Sequence, residues 1–360
     1  MLLFGFCGTI REVIGKKKAT FCLTGLLVCF VATLCSRIGH GYDYSDITHY
    51  VDYFMSDNDA YFEPGYVFFT NSIKTLFGYK PTMYIAFVGF WILLFVLLSN
   101  RICFSYYNKT SKDVTTSTNR FILPYSCSFF FLFSIYWGCS FGCEVIRLGM
   151  AVSVLFCSLA FALNGKYLLS LLFVILAVPF QYTSVAFLGA ILFISVFKSL
   201  HINIYIYWLV LMLICDILFA SGLLKSFGGA SVLGYVLNFS DTFSHYDAYD
   251  DFFAGDNGWI SLQYFAYYIF GIYMLSGNLN DERYNKTVMI YYLGLTVGVL
   301  LRGTSYGLRM QWIFFPAIVF AFYYYIKDKG KGAKKKMYVI SLYAIIQAVM
   351  AMRYLGALHL

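Results

Sequence analysis

Apolar runs of roughly seventeen or more residues recur along the whole 360-residue chain. A helix of that length can cross the hydrocarbon core of a bilayer. Charged residues, which a soluble surface needs, make up only 12% of the chain, whereas 60% of it is hydrophobic. We therefore predict an all-α, polytopic integral membrane protein.

The apolar pattern predicts about eleven membrane spans in a single integral membrane domain covering residues 1–360. The spans are placed at 19–36, 82–99, 121–137, 145–163, 167–180, 183–197, 202–220, 260–276, 287–301, 310–326 and 337–355. The fifth and sixth spans are short and a polar break separates them. They are therefore interpreted either as a tight helical hairpin or as a re-entrant element.

Lysines and arginines predict the orientation of these spans. With the N-terminus in the cytoplasm, alternation places 18 of the 26 basic residues on the cytoplasmic side, as the positive-inside tendency requires. The net charge of +8 then reflects topology, so no binding to nucleic acid is expected. Two long connections, 37–81 and 221–259, fall on the outer side. Because functional residues concentrate on such loops, we expect the protein to act there.

Three arginines lie on the outer side against that tendency: Arg147, Arg302 and Arg309. A guanidinium near hydrocarbon costs about 2.5–3.5 kcal/mol, so we expect an anion to compensate each of them. A phosphate or diphosphate is suitable, because the planar guanidinium can bind its oxygens in pairs. The alternative for Arg147 is a helical ion pair with Glu144, three residues earlier. Glu144 is also a candidate contact for substrate.

The segment RGTSYGLR connects Arg302 to Arg309 and contains two glycines, which let a backbone approach a ligand closely. Tyr306 lies within it and is a candidate for substrate binding. The polar break between the two short spans reads Gln-Tyr-Thr-Ser and begins at Gln181. Because this break falls at the outer end of the pair, Gln181 is also a candidate contact for substrate.

The first outer loop, 37–81, combines carboxylates with tyrosines. Asp46 and Tyr50 are four residues apart, so on a helix they share a face with Tyr53. Carboxylates accept hydrogen bonds from sugar hydroxyls and tyrosine rings stack on sugars. This composition favours a sugar-binding site, with Asp46 as a candidate proton acceptor.

The same loop continues into Glu63-Pro64-Gly65-Tyr66, a turn that places Glu63 as a second candidate proton acceptor and Tyr66 as a substrate contact. Residues 65–78 then show helical apolar spacing and are interpreted as a short helix on the membrane surface. The alternative for the loop is a solvated segment kept acidic for topology, an interpretation that we prefer for Asp52, Asp57 and Asp59.

In these residues the chain resembles the EpsG-like branch of the Wzy-type bacterial polysaccharide polymerases over roughly 37–325. The motifs that carry the resemblance are Asp46-x-x-x-Tyr50, Glu63–Tyr66, Ile146–Ala151 and Arg309 before an aromatic span containing Pro316. One position departs from the pattern. Relatives tend to have a histidine closely followed by serine where this chain has Gln181-Tyr182-Thr183-Ser184, so the resemblance supplies no histidine base there.

The resemblance implies a glycosyltransferase of the bacterial inner (cytoplasmic) membrane that extends a glycan held on undecaprenyl diphosphate. Arginines would neutralise the diphosphate leaving group and a carboxylate would accept the hydroxyl proton. The expected partners are an undecaprenyl-diphosphate-linked oligosaccharide, the lipid bilayer and a chain-length regulator protein. No cofactor and no metal are expected, and the sequence contains no nucleotide-binding or zinc-hydrolase motif.

Three other functions compete with this interpretation. A flippase or exporter of lipid-linked oligosaccharide predicts charges lining a cavity at mid-membrane depth, whereas nearly all charges here lie at span ends. A membrane acyltransferase usually has a catalytic histidine in a recognisable setting. A ligase that moves finished polymer to another acceptor shares the arginine chemistry, so this alternative stays open.

Overall fold

The computed structural model describes residues 2–13, 19–36, 46–56, 62–110, 126–138, 141, 145–220, 262–301, 305–314, 316–328 and 330–354. Every regular element in these ranges is helical, which confirms the all-α prediction. The outer loop 221–259 lies outside the described residues. So do Cys139 and Cys143, the two cysteines that share an outer connection in the predicted topology and are candidates for a disulfide there.

The helices before residue 180 are α1 (Leu2–Val13), α2 (Ala19–Ser36), α3 (Asp46–Met55), α4 (Pro64–Phe77), α5 (Pro81–Thr110), α6 (Cys127–Phe133), α7 (Ile146–Leu163) and α8 (Tyr167–Ala177). Those after it are α9 (Ala186–Val196), α10 (Ile202–Ala220), α11 (Leu262–Leu275), α12 (Glu282–Leu300), α13 (Ser305–Phe314), α14 (Pro316–Lys327) and α15 (Ala333–Tyr354). A π-helical turn, Ser134–Gly138, extends α6, and a 3₁₀ turn, Tyr182–Val185, precedes α9.

Where the structure describes them, the helices follow the predicted spans closely, and α10 coincides with the span predicted at 202–220. α5 differs, because it continues past residue 99 to Thr110. The predicted span 310–326 corresponds to the end of α13 and to α14, which begins at Pro316, and residue 315 lies outside the described residues. Because proline has no N–H and clashes with the preceding turn, it is tolerated at the start of a helix and not inside one.

Two described helices are long and apolar enough to cross a membrane, judged by length and composition alone: Pro81–Cys103 within α5, and α7. Shorter apolar helices lie at Cys22–Thr33, Tyr167–Ala177, Tyr182–Val196, Ile202–Leu218 and Phe265–Leu275. The count of eleven spans is therefore not confirmed and stays a prediction.

The chain divides into two compact units. Unit 1 comprises Met1–Ile191 and Phe322–Leu360, and unit 2 comprises Leu192–Ala321. In unit 2, α12 packs closely against α13, and the side chain of Asn285 bonds the backbone of Leu200 and the hydroxyl of Tyr205. The single-domain assignment is not tested by this division and stays a prediction.

The core of unit 1 is α7, in which every residue except Phe161 is buried. α5 and α8 pack along it. The indole N–H of Trp91 in α5 donates to the carbonyl of Met150 at 3.2 Å, and further along both helices the thiol of Cys157 donates to the carbonyl of Phe95 at 3.1 Å. α5 and α7 therefore run in the same direction and begin at the same end of the unit. Trp91 also contacts Phe180, just beyond α8, with ring centroids 4.8 Å apart. The starts of α5 and α7 and the end of α8 therefore meet at one end.

Candidate functional site

Arg147 and Glu63 form a buried ion pair at this end of unit 1. Arg147 lies in the first turn of α7, and its Nη1 donates to Oε2 of Glu63. Arg147 is 8% exposed and Glu63 is 2% exposed. Removing two such charges from water is costly, so each of them depends on the other for compensation. The pair joins two residues that are 84 positions apart.

Glu63 can reach Arg147 because it does not cap its own helix. It occupies the N-cap position of α4, where its backbone is extended and its side chain makes no capping hydrogen bond. Pro64 fills the first helical position, where its missing N–H costs nothing. The turn thus starts α4 through its backbone and leaves the carboxylate for the ion pair. The positive end of the α4 dipole further favours a negative charge at this position.

Aromatic rings surround the guanidinium of Arg147. Its Nε donates to the hydroxyl of Tyr50 in α3 at 3.3 Å. Its central carbon lies 4.6 Å from the ring centroid of Phe62 and 5.7 Å from that of Tyr50. The Phe62 ring in turn contacts Tyr53 at 4.8 Å and Tyr66 at 5.3 Å between centroids. These contacts hold the guanidinium in one orientation through cation–π attraction and one hydrogen bond.

Behind this layer, the hydroxyls of Tyr66 and Tyr84 form a buried hydrogen bond. Burial raises the pKa of Tyr66 well above its usual range, so the hydroxyl is neutral at physiological pH. Tyr84 lies in the first turn of α5, and its ring stacks on Phe54 of α3 at 4.8 Å. The tyrosine pair therefore fixes α3 and α4 to the start of α5.

One oxygen of the ion pair has no partner. Oε1 of Glu63 is buried and accepts no hydrogen bond from any part of the chain that the structure describes. A buried carboxylate oxygen without a donor is costly. Val145, the N-cap residue of the adjacent α7, also makes no side-chain capping bond. This end of unit 1 therefore offers an acceptor oxygen, a guanidinium and a helix N-terminus in one place.

The turn after α8 packs against the turn that contains Glu63 and Gly65. The N–H of Gly65 donates to the carbonyl of Pro179 at 2.9 Å, which places Gln181 two residues from that contact. Gln181 is 6% exposed. The hydroxyls of Thr183 and Ser184 are buried and have no hydrogen-bond partner among the described residues. The structure thus brings the polar break predicted between the two short spans beside the Glu-Pro-Gly-Tyr turn.

We expect Gly65→Ala to destabilise the protein by about 1–3 kcal/mol, because an added Cβ would lie 2.7 Å from Cβ of Pro179 and 2.8 Å from its carbonyl oxygen. The matched control is Gly189→Ala in α9, where a Cβ would meet nothing within 4 Å, so a neutral or slightly higher stability is expected. Thermal unfolding of the purified variants measures both. Equal melting temperatures would show that the close contact between the turns is not needed.

Of the candidate residues, the structure brings together Tyr50, Tyr53, Glu63, Tyr66, Arg147 and Gln181. Asp46 begins α3, and Tyr306 and Arg309 lie in α13 within unit 2, but the side chains of these three are outside the described residues, as are Glu144 and Arg302. The alternative pairing of Arg147 with Glu144 is therefore untested, and the ion pair that the structure describes is with Glu63.

Three residues in or beside this site are not among the residues predicted from the sequence: Phe62, Tyr84 and Lys74. Phe62 directly precedes Glu63, so its place beside a buried cation could have been suspected from the cation–π preference of arginine. Tyr84 gives no such signal, because it reads as an ordinary residue of an apolar span. Lys74 gives only a topological signal in the sequence, as one of eight outer basic residues, although its Nζ lies 5.2 Å from the ring centroid of the candidate Tyr53.

No group of three or more His, Cys, Asp and Glu side chains that could hold a metal ion occurs within the described ranges. The expectation of a metal-free site stays a prediction.

Comparison with known proteins agrees with the motifs noted in the sequence. The model of the EpsG family matches residues 18–359, which is nearly the whole chain. No curated protein and no solved structure matches. The resemblance drawn from Asp46-x-x-x-Tyr50, Glu63–Tyr66 and Ile146–Ala151 is thereby confirmed, and the chain, a membrane protein with apolar helices, belongs to the EpsG family of Wzy-like polymerases.

Proposed function

We propose that this protein is a polysaccharide polymerase of the bacterial inner membrane. It transfers a growing glycan from undecaprenyl diphosphate to a sugar hydroxyl of a second lipid-linked repeat unit, on the outer face of that membrane. Family membership supports a polymerase-like membrane protein. The predicted topology supports the outer face, because it places the Arg147 end of unit 1 there.

The observation that carries the proposal is the buried ion pair of Arg147 and Glu63, in which Oε2 of Glu63 bonds Arg147 and Oε1 accepts no hydrogen bond from the described residues. Arg147 presents a buried guanidinium, held by the ring of Phe62, at the start of α7, whose N-cap residue Val145 makes no capping bond, and this arrangement suits the oxygens of a diphosphate. Oε1 of Glu63 is an acceptor oxygen with no donor among the residues described. A sugar hydroxyl donates the hydrogen bond that this oxygen lacks. The guanidinium that would bind the diphosphate and the oxygen that would bind the hydroxyl are adjacent, as a transfer from diphosphate to hydroxyl requires.

In the proposed reaction, the acceptor hydroxyl oxygen attacks the anomeric carbon of the donor glycan. The bond from that carbon to the diphosphate oxygen breaks, and its electron pair leaves with undecaprenyl diphosphate. Arg147 stabilises the charge that develops on the leaving diphosphate. Glu63 takes the proton of the attacking hydroxyl at Oε1. Tyr50, which bonds Arg147 through its hydroxyl, orients the guanidinium.

The remaining candidates have supporting roles in the proposal. Arg302 and Arg309 remain candidates for contact with a phosphate group, and Asp46 remains the alternative proton acceptor. Tyrosine faces and Gln181 would contact sugar. The lipid chains of both substrates remain in the bilayer, and a chain-length regulator is the expected protein partner.

Incubating purified protein with the lipid-linked repeat unit that accumulates in host cells lacking it tests the proposal. We expect a ladder of products, each one repeat unit longer than the last, together with released undecaprenyl diphosphate. A single transfer to an unrelated acceptor would identify a ligase. Movement of the unit across a proteoliposome without elongation would identify a flippase. Either result contradicts the polymerase.

A further inference from the structure

We propose that Lys74 is a positioning residue for this site: its ammonium group caps the C-terminus of α3 and so fixes the helix that presents Tyr50 to Arg147. The inference rests on the proposed function for its kinetic consequence. Its structural consequence, the order of α3, can be measured without any substrate.

The side chain of Lys74 contacts the C-terminal end of α3 and Tyr79, which lies between α4 and α5. Its Nζ donates to the carbonyl of Ser56 at 2.6 Å and lies 3.5 Å from the carbonyl of Tyr53. The same nitrogen stands 5.2 Å from the ring centroid of Tyr53 and 5.4 Å from that of Tyr79. Lys74 is only partly exposed, so these interactions are only partly screened by water.

A cation is favourable at the C-terminal end of a helix, where the dipole gives the last carbonyls partial negative charge. Ser56 itself supplies donors to this end of α3, since its N–H donates to the carbonyl of Asp52 at 2.9 Å and its hydroxyl to that of Tyr53 at 3.2 Å. α3 has only 10 residues, which is too short to be stable as an isolated helix. Its order must therefore come from contacts with other elements. The bond from Lys74 to Ser56 satisfies one terminal carbonyl, with the additional strength of a charged donor.

The geometry connects this cap to the Arg147 site along both helices. α4 begins at Pro64, directly after Glu63, and carries Lys74 in its last turn. α3 carries Tyr50, whose hydroxyl accepts from Arg147. Lys74 thus ties the far end of the helix that starts beside Glu63 to the far end of the helix that holds Tyr50. Loss of this link would let Tyr50 move while Glu63 stays in place.

This role also explains why a lysine is found where topology disfavours one. Lys74 is among the eight basic residues that the predicted topology places on the outer side. Arg147 in that set is compensated by Glu63. Lys74 is compensated instead by carbonyl oxygens at a negative helix end.

The test compares Lys74→Met, Lys74→Arg and Lys80→Met in the full-length protein. Lys80 is the matched control, because it is an exposed lysine in the same outer segment. We expect Lys74→Met to lower kcat/KM by about tenfold, mainly through kcat, since the cap acts on orientation. Lys74→Arg should restore most of this loss, because it keeps a cationic donor. Lys80→Met should match the parent protein.

Hydrogen exchange of the same variants separates this inference from the proposed function. We expect backbone amides of residues 46–55 to exchange faster in Lys74→Met, while those of 64–77 exchange as in the parent protein. Unchanged exchange in 46–55 would overturn the inference even if the polymerase assay succeeds. Faster exchange in α4 alone would show that Lys74 serves only its own helix. Faster exchange in α3 with no polymerase activity in the parent protein would overturn the proposed function and leave the cap intact.

Discussion

Arg147→Ala is expected to abolish chain elongation, with a fall of about 10²–10³ or more in turnover, because it removes the charge that stabilises the leaving diphosphate. Arg147→Lys should recover little, since an ammonium cannot make the paired, planar contacts of a guanidinium. The measurement is elongation of a lipid-linked repeat unit by purified protein, supported by the length of the polysaccharide in cells. Full-length polymer from both variants would contradict the diphosphate site.

Stability has to be separated from chemistry in this experiment. Arg147→Ala leaves Glu63 buried and uncompensated, which should destabilise the protein by about 3–5 kcal/mol. The double variant Arg147→Met/Glu63→Leu removes both charges and keeps similar volumes, so we expect near-parental melting with no elongation. If the double variant elongated glycans, the pair would be a structural element only.

Glu63→Gln is expected to change turnover and binding in opposite directions. The amide keeps the shape of the side chain and can still accept from Arg147, but it cannot take up a proton, so turnover should fall by about 10²–10⁴. Because the guanidinium loses its counter-charge, its attraction for an anion rises. We expect the affinity for inorganic diphosphate to increase by about tenfold.

This opposition distinguishes a proton acceptor from a structural acid. The matched control is Asp52→Asn in α3, an exposed acid interpreted as solvated, and it should change neither quantity. Turnover comes from the elongation assay and affinity from calorimetric titration of purified protein. Parental turnover in Glu63→Gln would assign the proton to another group, with Asp46 as the next candidate. Weaker diphosphate binding would mean that Glu63 only holds Arg147 in shape.

Sequence reasoning predicted the helices well where burial in an apolar phase decides the outcome. The run at 202–220 is uniformly apolar and α10 follows it residue for residue. The same reasoning did not predict that α5 continues to Thr110, because a fall in hydropathy after residue 99 ends an apolar run without ending a helix.

The candidate site shows a different limit. Arg147 and Glu63 were both singled out, because the cost of a buried charge and the chemistry of a Glu-Pro-Gly-Tyr turn are local properties. Their pairing was not predicted, because it depends on how the turn before α4 packs on the turn after α8, through Gly65 and Pro179. Contacts between residues 84 positions apart carry no periodic signal in a single sequence.

The shortness of α8 has a consequence for how the substrates arrive. Its 11 residues rise about 17 Å, against a hydrocarbon core of roughly 30 Å. The predicted topology places Lys166, at the start of α8, on the cytoplasmic side. With α8 beginning at that interface, the turn holding Pro179 and Gln181 would lie below the head groups of the outer leaflet. A carrier lipid could deliver its sugar by drifting sideways with its tail still dissolved among other tails. The enzyme would then need no step that lifts a long prenyl chain into water, and elongation would proceed at the pace of lateral diffusion and chemistry.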